Sequence, residues 1–200
     1  SPNTDWVVMC GTNAGLGSEL KLANGVDVGT ATGGTGDVSL FVNAGYWGNE
    51  EKSDFAIAEV VMWPRGLTDK EMYCASDYLT KRYTDVSACA CVLDRPPPLP
   101  PASPPSPPAS SWPPLPPAYP GGLTAWYCPG AFNIRNSVWQ DCSGNDKTAR
   151  LSGTGLLESR SAGHGATSEV LALSGTTSSV IDFGAVIQSS FTVCSVTRYT

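Results

Sequence analysis

The chain has 200 residues, is 41% hydrophobic and only 15% charged, and carries a formal net charge of −6. An acidic chain without a basic stripe excludes nucleic acid as a partner and argues against anionic membrane surfaces. No run reaches the roughly 18 apolar residues of a membrane span, so no membrane insertion is expected in this segment. The chain opens without a methionine or a signal peptide, which reads as a mature or excised piece of something longer.

Proline divides the chain. Of its 17 prolines, 14 fall in residues 96–120. The expected organisation is a block at 1–95, a linker at 96–121 and a block at 122–200. Acids outnumber bases 13 to 7 in the first block, and the second has five of each. Each block is long enough for a modest core only. There are seven cysteines: Cys10, Cys74, Cys89, Cys91, Cys128, Cys142 and Cys194. With one histidine and no Cys-x-x-Cys pair, metal binding is a weak reading, so no metal or other cofactor is expected. Disulfides in an oxidising compartment fit better. An odd count leaves one thiol free or joined to another chain.

In chain order, Trp6-Val7-Val8-Met9-Cys10 is an apolar, β-rich run. Glu19 to Ala23 and Val26 to Val28 flank Asn24-Gly25, whose residues supply the two positive φ angles of a type I′ hairpin turn. Val38 to Val42 is a further strand. Residues 55–63 form a long one, with Phe55, Ile57, Glu59, Val61 and Trp63 expected on one face and Glu59 as a polar interruption. Pro64 and Gly66 end it. Thr68-Asp69-Lys70-Glu71 has capping-box spacing. Met72, Ala75, Leu79 and Tyr83 follow at helical spacing, predicting a short helix near 68–83 that fades by Thr84.

The linker favours polyproline II, because its prolines cannot donate to a sheet. At about 3.1 Å per residue it would reach roughly 75–80 Å as a semi-rigid rod. Trp112 and Tyr119 within it are not expected in the core of either block. In the second block, candidate strands lie at 123–127, 138–140, 170–173, 180–183 and 191–196. Turns are expected at Ser143-Gly144-Asn145-Asp146 and Ser161-Ala162-Gly163. No helix is predicted there. Trp6, Trp63, Trp126 and Trp139 are read as core. Cys128 and Cys142 flank a short excursion that a disulfide would staple, and Cys74 would tie the helix to Cys89 or Cys91.

Several phrases together resemble one family. They are Trp6 to Asn13, Glu19 to Val26, Ser53-Asp54-Phe55-Ala56-Ile57-Ala58-Glu59-Val60 and Leu67 to Met72. This set is similar to the C-terminal half of a concanavalin A-like lectin/glucanase domain of the laminin-G type. Leu123 to Tyr127, Trp139 to Asn145 and Phe191 to Arg198 resemble the N-terminal half of the same fold. The resemblance implies a mainly β fold: antiparallel jelly-roll β-sandwich halves plus one short helix, in reversed order and lacking a few joining strands. Neither half buries both sheets alone. A tandem or fibrous array, with complements from adjacent units, is the favoured arrangement. The alternative is closure of the two halves on each other or on neighbouring chains. If both halves share one sandwich, Cys10 and Cys194 would face each other.

The Ser-Pro-Pro repeats resemble hydroxyproline-rich cell-wall and flagellar-surface glycoproteins of green algae, of the pherophorin and mastigoneme type. That implies hydroxylation and O-linked glycans at Pro97, Pro98, Pro101, Ser103, Pro104, Pro105, Ser106, Pro107, Pro108, Pro113, Pro114, Pro116 and Pro117. No Asn-x-Ser/Thr sequon occurs.

Catalytic signatures are missing. The Glu-x-Asp-x-x-Glu strand of retaining glycosidases on this fold is absent, as are a nucleophile elbow and a phosphate-binding glycine loop. His164 lies between two glycines, and the immediately neighbouring sequence offers no acidic residue to orient a catalytic imidazole. No enzymatic activity is expected. Tyr46, Trp47 and Asn49, next to Glu50, form a weak sugar-binding candidate. Asp141, Asn145 and Asp146 read as a turn rather than a calcium loop. The expectation is an extracellular structural glycoprotein whose partners are copies of itself in a head-to-tail or fibrous assembly. The alternative is a carbohydrate-binding surface module.

Overall fold

The first block supplies five strands and a helix. In the computed structural model, which describes residues 5–13, 20–30, 38–45, 52–84 and 119–200, they are β1 (Val7–Thr12), β2 (Leu20–Ala23), β3 (Val26–Thr30), β4 (Val38–Val42), β5 (Phe55–Trp63) and α1 (Asp69–Thr84). Asn24 (φ 49°) and Gly25 (φ 77°) make the tight β2–β3 turn. The Asn24 side chain also accepts from the Val8 amide at 2.8 Å, pinning the turn to β1.

The start of α1 follows from its cap. The Thr68 amide donates to Glu71 Oε2 at 2.9 Å, and the Glu71 amide donates to Thr68 Oγ1 at 3.4 Å. Arg65 adds a two-pronged ion pair to Glu71, at 2.8 and 2.6 Å. Met72, Ala75, Leu79 and Tyr83 form the buried stripe of the helix. Deleting a buried side chain such as Leu79 would cost about 2–5 kcal/mol.

The second block supplies β6 (Ala125–Tyr127), β7 (Phe132–Asn133), β8 (Val138–Trp139), β9 (Ala149–Gly153), β10 (Leu157–Gly163), β11 (Ala166–Gly175), β12 (Ser179–Ile187) and β13 (Thr192–Tyr199), with one 3-10 turn at Ile134–Asn136. The β10–β11 hairpin departs from expectation. Ser161, Ala162 and Gly163 belong to β10, and the turn is His164 (φ 55°) and Gly165 (φ 78°). Histidine tolerates the left-handed region better than most residues, so His-Gly does here what Asn-Gly does in β2–β3.

All pairings are antiparallel. The larger sheet runs β10-β11-β5-β13-β1-β2-β3, with β6 also beside β5, and the smaller runs β4-β12-β9-β8-β7. The blocks interleave. β13 lies between β5 and β1, pairing Val7 with Thr197 through Thr12 with Thr192 on one edge, and Phe55 with Tyr199 through Trp63 with Thr192 on the other. β4 pairs with β12. For the described strands, then, the complement of each block is the other block of the same chain. Within the single chain the two blocks close on each other, the arrangement given above as the alternative. Tyr127, Trp139 and Phe183 cluster in the core, with ring centroids 4.7–6.3 Å apart.

β5 is buried along its whole length, because α1 covers one face and the smaller sheet the other. Its face pattern differs from the predicted one. The register against β13 shifts between Val196 and Thr197, leaving one extra β5 residue at a bulge. Glu59 and Tyr83 of α1 meet on one side. Beyond the bulge, the Phe55 ring lies beside Ser179 of β12. Phe55 and Glu59 therefore point to opposite faces.

Candidate functional site

The most elaborate polar site is built on Glu59, the residue that interrupts an otherwise apolar strand. Its side chain is fully buried. Oε2 accepts from the Tyr83 hydroxyl at 2.8 Å. Oε1 accepts from the Tyr119 hydroxyl at 2.9 Å, from Trp126 Nε1 at 2.6 Å and from the Arg82 guanidinium at 3.2 Å. A buried carboxylate persists only when it is paired and hydrogen-bonded, and here both oxygens are occupied. Glu59 thereby ties β5, the end of α1, Tyr119 and β6 together through one side chain.

The electrostatics follow from burial. Desolvation pushes the Tyr83 and Tyr119 hydroxyls well above the ordinary tyrosine range, and the Glu59 charge adds to it. Burial lifts Tyr78 in the same direction. Desolvation is the largest influence on Arg82 and opposes its charge, but Glu59 together with Tyr83, Tyr119 and Tyr78 outweighs it and holds the guanidinium protonated above its usual range.

This cluster is where the proline-rich segment returns to the sandwich. Tyr119 is 7% exposed, in the core, contrary to its expected exclusion from it. Its ring stacks edge-on against Trp63, Tyr78 and Trp126 at 5.3–6.0 Å. Trp63 Nε1 donates to the Pro120 carbonyl at 2.8 Å. Tyr83 near the end of α1 and Tyr119 near the end of the segment thus bind the two oxygens of one carboxylate. The sequence signals were a lone Glu in an apolar strand and a lone Tyr beside Pro-Gly-Gly.

Two disulfides are present among the described residues. Cys10 and Cys194 stand opposite each other in β1 and β13, with Cα atoms 4.1 Å apart, and join the two blocks. Cys128 and Cys142 join within the second block. Cys74 is buried in α1, while Cys89 and Cys91 lie outside the described residues. Trp6, Trp63, Trp126 and Trp139 are all buried. Asp141 organises its loop, accepting from the amides of Trp126, Ser143 and Lys147. The His164 carbonyl accepts from the Trp6 amide at 2.9 Å.

The sugar-binding candidates Tyr46, Trp47 and Asn49, the hydroxylation positions and the expected polyproline rod lie outside the described residues. A cleft of about 460 Å³ opens between β1, β13 and β4, walled by Met9, Val38, Leu40, Ile187, Phe191 and Val193. Its lining is mostly apolar, unlike the hydroxyl-matching surface a sugar needs. Among the described residues, no group of three or more His, Cys, Asp or Glu is placed to hold a metal ion. No described helix is long and apolar enough to cross a membrane.

These features define a mainly β, sandwich-like protein of two antiparallel sheets with one α-helix and two disulfides among the described residues. No family model, no curated protein and no solved structure matches the chain.

Proposed function

We propose that the chain is a module of an extracellular structural glycoprotein, in which laminin-G-like jelly-roll units and glycosylated proline-rich segments build a fibril, surface appendage or cell-wall matrix. The observation that carries this reading is the anchoring of the proline-rich segment. Both flanks end on Glu59, through Tyr83 and Tyr119, inside a sandwich that a disulfide closes from Cys10 to Cys194. Tension applied to the segment is then borne by a buried ion pair, an aromatic cluster and a covalent bond. The disulfides suit an oxidising, extracellular setting. The most elaborate chemistry of the described residues serves to fasten elements together, and the segment so fastened has the composition of a hydroxyproline-rich glycoprotein.

Glycopeptide mass spectrometry of natively purified protein tests the reading. The expected result is one added oxygen on many prolines of residues 96–120, with pentoses or hexoses attached. A wholly unmodified segment overturns it. Electron microscopy of the same material should show filaments or a matrix.

A further inference from the structure

Among the described residues, to which the pairings that follow are confined, each block is incomplete in a specific way. Within the first, β5 pairs only with strands of the second block, namely β6, β11 and β13. β4 pairs only with β12. Only the β1-β2-β3 set is joined internally. In the second block, β13 pairs only with β1 and β5. The sandwich is therefore a seam between two partial structures, and no seam contact described above needs the covalent continuity of residues 85–118.

We propose that this seam also forms between chains: the second block of one copy completes the first block of the next, linking copies head to tail. It deepens the structural reading above by naming the surface and the partner, a second copy of the chain. Tyr119 and Pro120 of one copy would seat on Glu59 and Trp63 of its neighbour, in the geometry they hold within one chain. Every seam bond is reproduced and no new contact is required, which makes exchange of identical elements a low-cost route to assembly.

Chain length permits it. Residues 85–118 are 34 in number, and their fully extended contour is roughly 110–120 Å. A folded unit of this size has a radius of gyration of about 15 Å, so the connection reaches from one sandwich to an adjacent one. Concentration sets the balance. A long connection gives an effective concentration in the millimolar range or below, so closure within one chain dominates in dilute solution. Exchange takes over when chains are crowded, as in a wall or fibril.

The Cys10–Cys194 bond lies on the seam, and in the exchanged form it becomes a bond between copies. It forms as in the single chain. Two thiols give up two protons and two electrons to a small disulfide oxidant such as oxidised glutathione, which leaves as two reduced thiols. Cys128–Cys142 lies within one block and stays within one chain in either form. The two bonds therefore report differently on exchange.

The test uses the full chain, produced without prolyl hydroxylation. Equal amounts of ¹⁵N-labelled and unlabelled chain are reduced, unfolded, mixed and refolded with oxidised and reduced glutathione at concentrations from micromolar to millimolar. After alkylation and digestion, the disulfide-linked peptides are weighed. Exchange predicts isotopic hybrids in the Cys10–Cys194 peptide that rise with concentration toward about half, the random-pairing limit for identical copies. The Cys128–Cys142 peptide should stay isotopically pure. Absence of hybrids at millimolar chain, or equal hybrids in both peptides, overturns the proposal. Its failure leaves the glycoprotein reading to the native linker's mass spectrum, and an unmodified native linker leaves this test standing.

Discussion

Two ladders of equal length make an instructive pair. β10–β11 joins strands linked by a two-residue turn, with six paired positions. β1–β13 also has six, but joins the two ends of the described chain. Per residue their backbone hydrogen bonds are equivalent. The cost of bringing the partners together is not. Closing the long connection costs roughly 4 kcal/mol more than closing the hairpin, since loop entropy grows with the logarithm of length. The extra fasteners sit where that cost falls. The hairpin has its turn and short polar contacts such as Ser159 Oγ to Ser174 Oγ at 2.6 Å, with no covalent or charged fastener across it among the described residues. The seam has a disulfide, the Glu59 hub, the aromatic seat for Tyr119, and Asn13 exchanging bonds with Phe191 at 2.7 and 3.2 Å.

The largest expected effect comes from removing the covalent fastener. Cys10→Ala with Cys194→Ala opens a crosslink spanning 184 residues, whose chain-entropy contribution is roughly 5 kcal/mol. The corresponding change at Cys128 and Cys142, which are 14 residues apart, should cost roughly 3 kcal/mol. Urea denaturation of both double variants measures the difference. Equal losses would mean that the seam closes without help from its disulfide.

Next in size is Glu59→Ala. It leaves Arg82 without its partner and strips the acceptor from Tyr83, Tyr119 and Trp126. Breaking a buried pair this way costs about 3–5 kcal/mol. A loss below about 1 kcal/mol would show that the seam does not depend on this hub.

Tyr119→Phe is a smaller cut at the same place. It keeps the aromatic packing and removes one hydrogen bond to a charged acceptor, worth about 1.5–3 kcal/mol. The tyrosines also set an alkaline signature. Burial raises the Tyr83 and Tyr119 hydroxyls above the ordinary value of 10.0. The folded state then holds protons that the unfolded state releases, so this stability is present below pH 10 and falls as pH rises beyond it. Absorbance at the tyrosinate band should show these two ionising together with unfolding. In the Phe variant that step should lose one tyrosine's worth of signal. Early, independent ionisation of both would place them outside the core.

The same contrast explains what was legible. The β2–β3 hairpin, β4, β5, the α1 cap and its buried stripe are local patterns, and their residues announce them in Asn24-Gly25, in Thr68 with Glu71, and in the 72-75-79-83 spacing. β7 was missed because two residues carry no periodic signal, and β9 because its alternation, Ala149 and Leu151 inward with Arg150 and Ser152 outward, is only five residues long and rests on two small-to-medium apolar side chains. β10 was missed because Leu157–Gly163 is mostly polar and exposed and its turn is His-Gly. The Glu59 hub was half legible. A lone carboxylate in an apolar strand marks a buried partner, but its donors come from residues 82, 83, 119 and 126, a set that only tertiary pairing assembles. Tyr119 was misassigned for the same reason, since the composition of its neighbours says linker while its own contacts say core.

The smallest expected effect lies on the local side of the contrast, at the α1 cap. The Arg65 hydrogen bond, aided by the Thr68 groups, holds the Glu71 carboxyl at about 2, against an ordinary 4.5. A depressed carboxyl contributes stability that is fully present above pH 4.5 and disappears as pH falls toward 2. The Arg65 side chain is 43% exposed, so solvent screening limits the pair to less than about 1 kcal/mol. Arg65→Ala should therefore lower stability slightly at pH 7, and the gap to the parent chain should narrow on acidification toward pH 2, where Glu71 of the parent is about half protonated. Urea midpoints across that range give the answer. A gap that persists undiminished at pH 2 would mean that Arg65 acts through the packing of its aliphatic stem rather than through its charge. A gap larger than that from Glu59→Ala would reverse the ranking of local and seam interactions altogether.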